Sequence, residues 1–291
     1  KYASYLIGLL VALLIFSAIL LAMGFNPILS LEAILYGSFG TIFSISETFV
    51  RVAPLLLSAL AFLIGFKGRF LNLGAEGQLY MGAVAAYLAA SQMGGLPSIM
   101  SIPLTALASI IGGVVWLAIP LVLRVRLGVN EIFPTVVLNF VGGFVVSWLC
   151  TGPIRDPNAA NPQTRLLPSS TWLPVMIPGT RLNVGLILAF LSAFLMYLFL
   201  YKTVLGYEIR GVGLNPRAAR HAGIDLSKSI VTVGVLSGGL AGLAGMVEVA
   251  GANHLLVVGF SPGFGYQGIA IAPLGGFDPI GAIFASIFFS V

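Results

Sequence analysis

The sequence predicts an all-α, polytopic membrane protein with about eight to ten membrane segments, some of them discontinuous or re-entrant. Hydrophobic residues make up 58% of the 291 residues and charged residues only 8%. In an ordinary soluble domain the charged share approaches a quarter. Charge-free runs of about 20 residues recur along the chain, and this length crosses a bilayer. We therefore expect one transmembrane domain over residues 1–291.

The first half of the chain divides into crossings and one shorter apolar segment. Residues 2–23 predict a first crossing that stays in place as an anchor. Residues 33–46 are too short for a span and are expected to be interfacial or re-entrant. Glu47 and Arg51, one helical turn apart, are expected to pair. Further crossings are predicted at 48–66, 70–92, 98–123 and 130–150.

The second half begins with a Pro-, Asn- and Ser-rich connection, 151–181, and a crossing at 182–201. A polar, charge-rich stretch, 202–228, follows and leads into a crossing at 229–250. Residues 255–276 are apolar but interrupted by glycine and proline, so that they either span or re-enter. A final helix is predicted after Asp278-Pro279. Its apolar run, 280–291, is too short to span, and we expect the natural chain to continue past both ends.

The basic residues indicate which side of the membrane each loop faces. Alternating the crossings places ten of the 14 basic residues on one side and Arg51, Arg155, Arg165 and Arg181 on the other. The positive-inside rule then assigns the ten to the cytoplasm. Accordingly, 202–228 is predicted to be cytoplasmic and 151–181 external. The ten are Lys1, Lys67, Arg69, Arg124, Arg126, Lys202, Arg210, Arg217, Arg220 and Lys228.

The stretch 202–228 contains a predicted short helix. Asn215 can cap a helix that starts at Pro216, because Asn accepts backbone hydrogen bonds and Pro is tolerated in a first turn. Gly223 can end it in the left-handed conformation. The charges alone leave two interpretations, a solvated loop and a docking surface for a soluble partner.

Two polar or glycine-rich interruptions lie in apolar surroundings, one in each half of the chain. The first, 72–78, contains Asn72, Glu76 and Gln78; the second is 259–268. Such paired breaks indicate the central path of a transporter, although close helix packing through glycine explains most of the 36 glycines. Glu76 either lines the path or forms a structural pair near the boundary.

Other polar or aromatic residues join this hypothesis. Asn139, in mid-span, must form a hydrogen bond, most commonly to another helix, and is included among the path residues. Phe264, Tyr266 and Gln267 are candidates for transient contacts with a neutral, partly aromatic cargo. His254, at a membrane end, is interpreted as structural rather than as a proton relay.

Several classes of function are excluded. No Lys follows a Gly, so the phosphate-binding loop of ATPases is missing. The two histidines share no metal-ligand spacing with Cys150, and no catalytic constellation appears. We therefore predict no catalytic residue, no metal and no cofactor. Nucleic-acid binding is not expected, because no basic stripe carries interleaved aromatic residues.

Four sequence motifs of this chain are characteristic. They are LNLGAEGQLYMGA (71–83), LGVNEIFPTVVLNF (127–140), GLNPRAARHAGID (213–225) and GYQGIAIAPLGGFDPIGAIFAS (265–286). These motifs resemble the permeases of bacterial ATP-binding-cassette importers for ribose, simple sugars and branched-chain amino acids. The sequence around Glu76 and Glu131 is most similar to the nucleoside importers of that group. Pro134 and Pro273 depart from the pattern of the group.

The resemblance implies a multi-pass protein of the bacterial cell membrane that works with other chains. These are a second, different permease subunit, cytoplasmic ATPases that use the ATP, and an extracytoplasmic substrate-binding lipoprotein. It also implies a coupling helix that docks on the ATPase, here Asn215, Pro216, Arg217, Ala218, Ala219, Arg220 and Gly223. Arg217, Ala218, Ala219 and Arg220 would form its contact face.

The expected function is the membrane path of an ATP-driven importer, with nucleosides as cargo. A sugar or branched-chain amino-acid permease is the alternative within this group. Another class remains open, an ion- or proton-coupled carrier that acts alone. A membrane enzyme is disfavoured because the residues of a catalytic site are missing.

Overall fold

The computed structural model describes residues 2–291, with side chains for 7–8 and 10–291. Lys1, predicted to be cytoplasmic, lies outside the described residues. Within them the regular structure is helical, apart from isolated β-bridges. The α-helices are α1 (Tyr2–Ala22), α2 (Pro27–Phe39), α3 (Ile42–Lys67), α4 (Ala75–Ala90), α5 (Ser98–Leu127), α6 (Ile132–Thr151), α7 (Gly185–Lys202), α8 (Val204–Leu214), α9 (Pro216–His221), α10 (Leu226–Met246), α11 (Phe264–Leu274) and α12 (Pro279–Ser290). A π-helical turn, Val247–Asn253, extends α10.

The helices confirm a polytopic bundle. Five of them are long and apolar enough to cross a membrane, namely α3, α5, α6, α7 and α10 with its π-helical turn. Helices α1 and α2 are bent by 112° at the break between them, and they add a sixth such element if the pair is counted as one span and not as a re-entrant loop. Helices α4, α11 and α12 are shorter, so that the number of helices long enough to cross stays below the eight to ten membrane segments expected.

Helix α3 lies at the centre of the bundle. Every residue from Val52 to Gly65 is buried, which explains the absence of an amphipathic pattern in this run, because a helix that is apolar all round packs on all sides. Helices α4, α7, α10, α11 and α12 contact it. The predicted crossing at 48–66 is therefore confirmed as a core helix that begins six residues earlier, at Ile42.

Glycines bring α4, α5 and α10 into close contact. Gly82 of α4 lies on Gly242 of α10, and Gly113 of α5 lies on Gly238, with too little room for a Cβ atom at any of these positions. Such backbone contact is how helices associate in a membrane, where apolar side chains gain little by leaving lipid. Close packing thus accounts for these glycines, as the alternative interpretation expects.

The two ends of the bundle differ in composition. The basic end contains Lys67, Arg124, Lys202 and the stretch 202–228, and Arg69 joins two of these elements by donating from Nε to Gly213 O (3.0 Å). The opposite end, called the loop end, contains 151–181. Its backbone bonds to the chain after the π-helical turn, through Leu167 N to His254 O (2.8 Å) and Thr164 N to Leu256 O (2.9 Å).

Residues 255–276 span the bundle rather than re-enter it. Leu256 is held at the loop end by Thr164, and the ring of Phe277 stacks on Phe66 beside Lys67, with centroids 3.9 Å apart. The segment therefore connects the two ends, although only its second part is helical. The predicted final helix is present and starts at Pro279, and Asp278 caps it, because its Oδ1 accepts hydrogen bonds from Ile280 N (2.9 Å) and Gly281 N (3.3 Å).

One predicted local pairing is wrong. Glu47 pairs with Arg181 of the loop end, whose Nε lies 3.0 Å from Glu47 Oε1, whereas Arg51 is exposed. A charged partner from a distant segment thus replaces the local contact. Glu131, just before α6, pairs with Arg124 of α5 (3.2 Å) and accepts a hydrogen bond from Leu71 N (3.0 Å).

Two boundaries also differ from the prediction. The crossing expected at 70–92 becomes helical only at Ala75, after the non-helical residues 70–74. The apolar segment expected at 33–46 is divided between α2 and the start of α3, since Asn26 caps α2 early and accepts a hydrogen bond from Ile28 N (2.9 Å). Helix α2 therefore turns away from the first crossing, α1, at the 112° bend between the two helices.

We expect Gly242→Ala to destabilise the bundle by about 1–3 kcal/mol, because the added methyl group would overlap Ser109 O and press on Gly113 Cα. Thermal unfolding of the detergent-solubilised protein measures the change. Gly143→Ala is the matched control, since its nearest neighbour would be Tyr80 Cε2 at 3.7 Å. Equal unfolding temperatures for the two variants would contradict this packing.

Candidate functional site

The centre of the candidate site is a non-helical segment that enters the bundle from the basic end. After Lys67 the chain turns at Gly68 and Arg69, and Arg69 adopts a left-handed conformation (φ 60°). Phe70 N then donates to Gly65 O (2.9 Å), so that residues 70–74 run back alongside the end of α3. Such backbone is tolerated at membrane depth only where protein or a cavity satisfies its polar groups.

Asn72 and Gln78 satisfy part of this segment. Their side-chain amides exchange two hydrogen bonds of 2.8 Å each, Nδ2 to Oε1 and Nε2 to Oδ1. Asn72 also donates to Ser237 Oγ (2.8 Å), and Ser237 donates to Ala61 O (2.6 Å). Both amides are at most 1% exposed. The pair therefore joins α3, α4 and α10 and does not reach a surface.

Asn139 joins α6 to the same segment. Its Nδ2 donates to Leu73 O (2.8 Å), and its Oδ1 accepts from Gly77 N (2.8 Å). Both backbone groups lie beside the break and lack a helical partner. The side chain is thus a bond between helices, which is the commoner of the roles expected for it.

Glu76 connects the two predicted breaks. Gly265 N donates to Glu76 Oε2 (2.6 Å), and the carboxylate is buried with 1% exposed. Gly265 approaches the Glu76 backbone so closely that a Cβ atom would overlap it. The first turns of α4 and α11 therefore meet, and a negative charge between two helix N-termini is favoured by both dipoles. This geometry is the structural pairing that was one of the two interpretations of Glu76.

The meeting point lies near the middle of the bundle. Gly268 packs on Ser58 and Ala59 of α3, and Ser58 is separated from Lys67 by about 14 Å of helix. Gly265 lies almost one turn farther from the basic end, at about 18 Å. The hydrocarbon core of a bilayer is about 30 Å thick, so that this contact lies at the depth where transporters place discontinuous helices.

The predicted path residues on α11 differ in exposure. Phe264 is buried, Gln267 is half-buried and Tyr266 is 43% exposed. Tyr266 and Gln267 are therefore the predicted path residues that reach the surface of this chain. Gln267 Nε2 donates to Pro262 O (3.4 Å). No hydrogen bond from the described residues reaches the side-chain carbonyl oxygen of Gln267, so that this oxygen is free to accept one from another partner.

Two residues of this site were not predicted from the sequence. Ser261 Oγ accepts hydrogen bonds from Gly263 N and Phe264 N (both 3.2 Å) in the turn that leads into α11. The sequence signal is a serine directly before Pro262 and Gly263, since serine hydroxyls form such turns with the backbone. Tyr80, half-buried and packed edge-on against Phe260 (5.4 Å), lies one turn after Glu76.

A second candidate site lies at the basic end, on α9. Asn215 Oδ1 accepts hydrogen bonds from Arg217 N (3.0 Å) and Ala218 N (3.2 Å), and Gly223 is left-handed (φ 84°). The predicted short helix is present, with Pro216 as its first residue. Ala219 is only 5% exposed and faces the bundle. The exposed face therefore contains Arg217, Ala218 and Arg220 but not Ala219.

Helix α8 precedes α9 and was not predicted. Thr203 caps it by accepting a hydrogen bond from Gly206 N (3.0 Å), and the helix buries Ile209 and Val212. Gly213 lies directly on Lys67 O, where a Cβ atom would not fit. The stretch 202–228 is thus held against the end of α3. The signal for α8 was the Thr cap followed by two buried apolar residues three positions apart.

His254, at the loop end, has a structural environment. Its ring stacks on Trp172 with centroids 4.0 Å apart, and its Nδ1 lies 3.1 Å from Ala250 O. Burial lowers the pKa of His254 below its usual value, which favours the neutral imidazole. Among residues 2–291, no group of His, Cys, Asp and Glu could hold a metal ion.

Comparison with known families identifies this architecture. Residues 44–291 match the family described as the permease component of the branched-chain amino acid transport system. The chain belongs to this family. It is thus a membrane component of a transport system rather than an enzyme, and the family resemblance in the sequence is confirmed.

Curated relatives of the permease cover nearly the whole chain. The nucleoside ABC transporter permease protein NupB of Lactococcus lactis is 33% identical over 98% of this chain and 81% of that protein. The glucose ABC transporter permease protein TsgB13 of Haloferax volcanii is 32% identical over 100% and 79%. The guanosine ABC transporter permease protein NupP of Bacillus subtilis is 31% identical over 97% and 81%. No solved structure matches the permease.

We expect Asn139→Leu to destabilise the permease by about 1–3 kcal/mol for each of the two backbone groups that it leaves unpaired, Leu73 O and Gly77 N. Thermal unfolding in detergent measures the loss. Thr151→Val is the control on the same helix, because the Thr151 hydroxyl is exposed and bonds only within α6. An unchanged unfolding temperature for Asn139→Leu would show that water replaces the amide.

Proposed function

We propose that the permease forms the membrane path of an ATP-driven nucleoside importer. Two relatives at 31–33% identity carry nucleoside or guanosine in their names, and each aligns with nearly the whole chain. The observation that supports a path in this chain is the meeting of α4 and α11 at Glu76 and Gly265, in mid-bundle. ATP hydrolysis belongs to a separate ATPase subunit, and the permease itself holds no cofactor.

Tyr266 and Gln267 are the proposed cargo contacts. A phenol and an amide at this depth are unfavourable against lipid, so protein or a water-filled path must cover them. A tyrosine ring can stack on a nucleobase, and an amide can bond to base edges or ribose hydroxyls. The buried residues Asn72, Gln78 and Asn139, together with Glu76 and Phe264, hold the two half-helices in place behind these contacts.

The exposed position of Tyr266 also supports a second permease subunit. A path residue that lies on the surface of one chain requires another chain to close the path from the opposite side. We propose a heterodimer of two different permeases in the bacterial cell membrane, surrounded by lipid. An extracytoplasmic binding lipoprotein docks at the loop end, on residues 151–181. No nucleic acid takes part.

A sugar is the second candidate cargo. TsgB13, a glucose permease by its name, is as similar to this chain as the nucleoside permeases are. The polar side chain of Gln267 suits either cargo, because sugars and nucleosides share hydroxyl groups. Only a nucleoside has an aromatic base that can stack on Tyr266, which is why we favour it.

Uptake by the complete transporter in proteoliposomes tests the cargo. We expect ATP-dependent uptake of radiolabelled guanosine, competed by other nucleosides but not by glucose or leucine. Competition by glucose alone would replace the nucleoside proposal with the sugar candidate. Uptake that continues without ATP and without the ATPase subunit would support a carrier that acts alone.

Helix α9 is the proposed coupling helix, on the cytoplasmic side. Its exposed residues Arg217, Ala218 and Arg220 form the contact face, while the buried Ala219 anchors the helix to the permease. Asn215 and Gly223 shape its two ends. The link from α9 through α8 to the end of α3 is short, because Gly213 lies on Lys67 O and accepts a hydrogen bond from Arg69.

Charge reversal at Arg217 tests this assignment. We expect Arg217→Glu to lower ATP-dependent uptake by roughly tenfold or more, because a like charge replaces a complementary one at the interface. The unfolding temperature should stay unchanged, since the side chain is exposed. Arg126→Glu, also exposed at the basic end but outside α9, is the control. Equal uptake by the two variants would remove Arg217 from the contact face.

A further inference from the structure

A cavity at the basic end has no role in the proposed transport path. It lies between the end of α3 and α8, has a volume of about 250 Å³ and is lined by Phe66, Lys67, Arg210, Gly213 and Leu214. Two of these five residues are cationic. The cavity therefore combines positive charge with apolar walls at the level where α3 ends.

Neither cation has a counter-ion in the described part of the chain. Within residues 2–291 the ion pairs are Arg124 with Glu131 and Arg181 with Glu47. The guanidinium of Arg210 lies over the ring of Tyr201, 5.1 Å from its centroid. Its Nε is shielded from solvent and has no hydrogen-bond acceptor among the described residues. A buried guanidinium N–H without an acceptor is unfavourable, so that a ligand with an anionic oxygen would complete this site.

The nearby carboxylates do not serve as that acceptor within the described residues. Asp278 Oδ2 accepts the hydrogen bond of the Tyr201 hydroxyl (2.9 Å), and Asp278 Oδ1 caps α12. Glu208 is on α8 with Arg210, but residues two positions apart lie on different faces of a helix. The charge of the cavity is thus not neutralised within the described chain.

The walls of the cavity indicate where the anion comes from. Leu214 is 84% exposed and Phe66 43% exposed. Along α8, Val204 and Tyr207 are exposed as well, next to the ends of α3 and α7. Large apolar residues beside lysine and arginine at the end of a span are typical of the membrane interface. A free anion in solution would leave these apolar residues uncovered, whereas the acyl chains of a lipid would cover them.

We propose that this cavity binds the phosphate group of an anionic phospholipid. Arg210 donates from its guanidinium to the phosphate oxygens, and Lys67 adds a second positive charge. Phe66 and Leu214 contact the first part of the acyl chains. Basic pockets between membrane helices recognise anionic headgroups by this chemistry. The bound lipid bridges α3 and α8, at the base of the proposed coupling helix.

Lipid binding to the complete transporter in detergent provides the test. The probes are phosphatidylglycerol, zwitterionic phosphatidylcholine and inorganic phosphate, with the unfolding temperature and native mass spectrometry as readouts. We expect phosphatidylglycerol alone to raise the unfolding temperature and to remain bound. Arg210→Gln and, separately, Lys67→Gln should each lower its apparent affinity by about fivefold or more. Arg126→Gln, exposed at the same end but outside the cavity, should not lower it.

Three outcomes would overturn the proposal. Equal affinity for phosphatidylglycerol in Arg210→Gln and Arg126→Gln would show that the lipid binds elsewhere. If inorganic phosphate, and not phosphatidylglycerol, raises the unfolding temperature, the ligand is a free anion. If Arg210→Gln loses ATPase coupling while lipid binding is unchanged, the partner of Arg210 is an acidic side chain of the ATPase and not a lipid. The unfolding temperature in phosphatidylcholine reports whether each variant folds. Lipid binding needs no cargo, so that this test is independent of the nucleoside proposal.

Discussion

The bond between Glu76 and the backbone of Gly265 is the contact on which the centre of the permease depends. It joins the first turns of α4 and α11 in mid-bundle, at 2.6 Å. Without the carboxylate, two helix N-termini would face each other with unpaired N–H groups in apolar surroundings. With it, the N–H group of Gly265 has an acceptor, and the helices approach closely because Gly265 has no side chain. The two interrupted segments of the sequence are therefore two halves of one structural feature.

The amide side chains around this contact also supply hydrogen-bond partners at the break in the helix. Residues 70–74 are not helical, so that their backbone groups need partners from elsewhere in the chain. Asn139 supplies two of these partners, and the Asn72–Gln78 pair links the segment to Ser237 of α10. Because these side chains are committed to the protein, few predicted path residues remain for cargo. Relatives named for nucleoside and for glucose reach similar identity to this chain, at 33% and 32%. A scaffold that is shared by permeases for different cargoes, with few residues left to contact the cargo, accounts for that similarity.

The basic end connects the surface helix α9 to this centre over a short distance. Helix α8 lies on the end of α3 through Gly213, and Arg69 bonds to the same residue. Arg69 precedes Asn72 by three positions, so that the segment in contact with α8 continues directly into the break. Glu131 holds the same segment from α6 through Leu71 N, and Arg124 of α5 pairs with that carboxylate. Contacts that involve four different helices thus converge on the short non-helical segment that leads to Glu76.

The sequence by itself determined the helical class, the separation of the chain into a basic end and a loop end, and the local helix signals. Asn215 and Gly223 act as predicted because capping depends on residues a few positions apart. The tertiary structure alone decided the partners of the charged and amide side chains. Glu76 meets Gly265 across 189 positions, and Glu47 meets Arg181 across 134. It also decided that Ala219 faces inward and that residues 255–276 span. Hydropathy and capping are local properties, whereas these contacts depend on which helices become neighbours, and a single sequence does not contain that information.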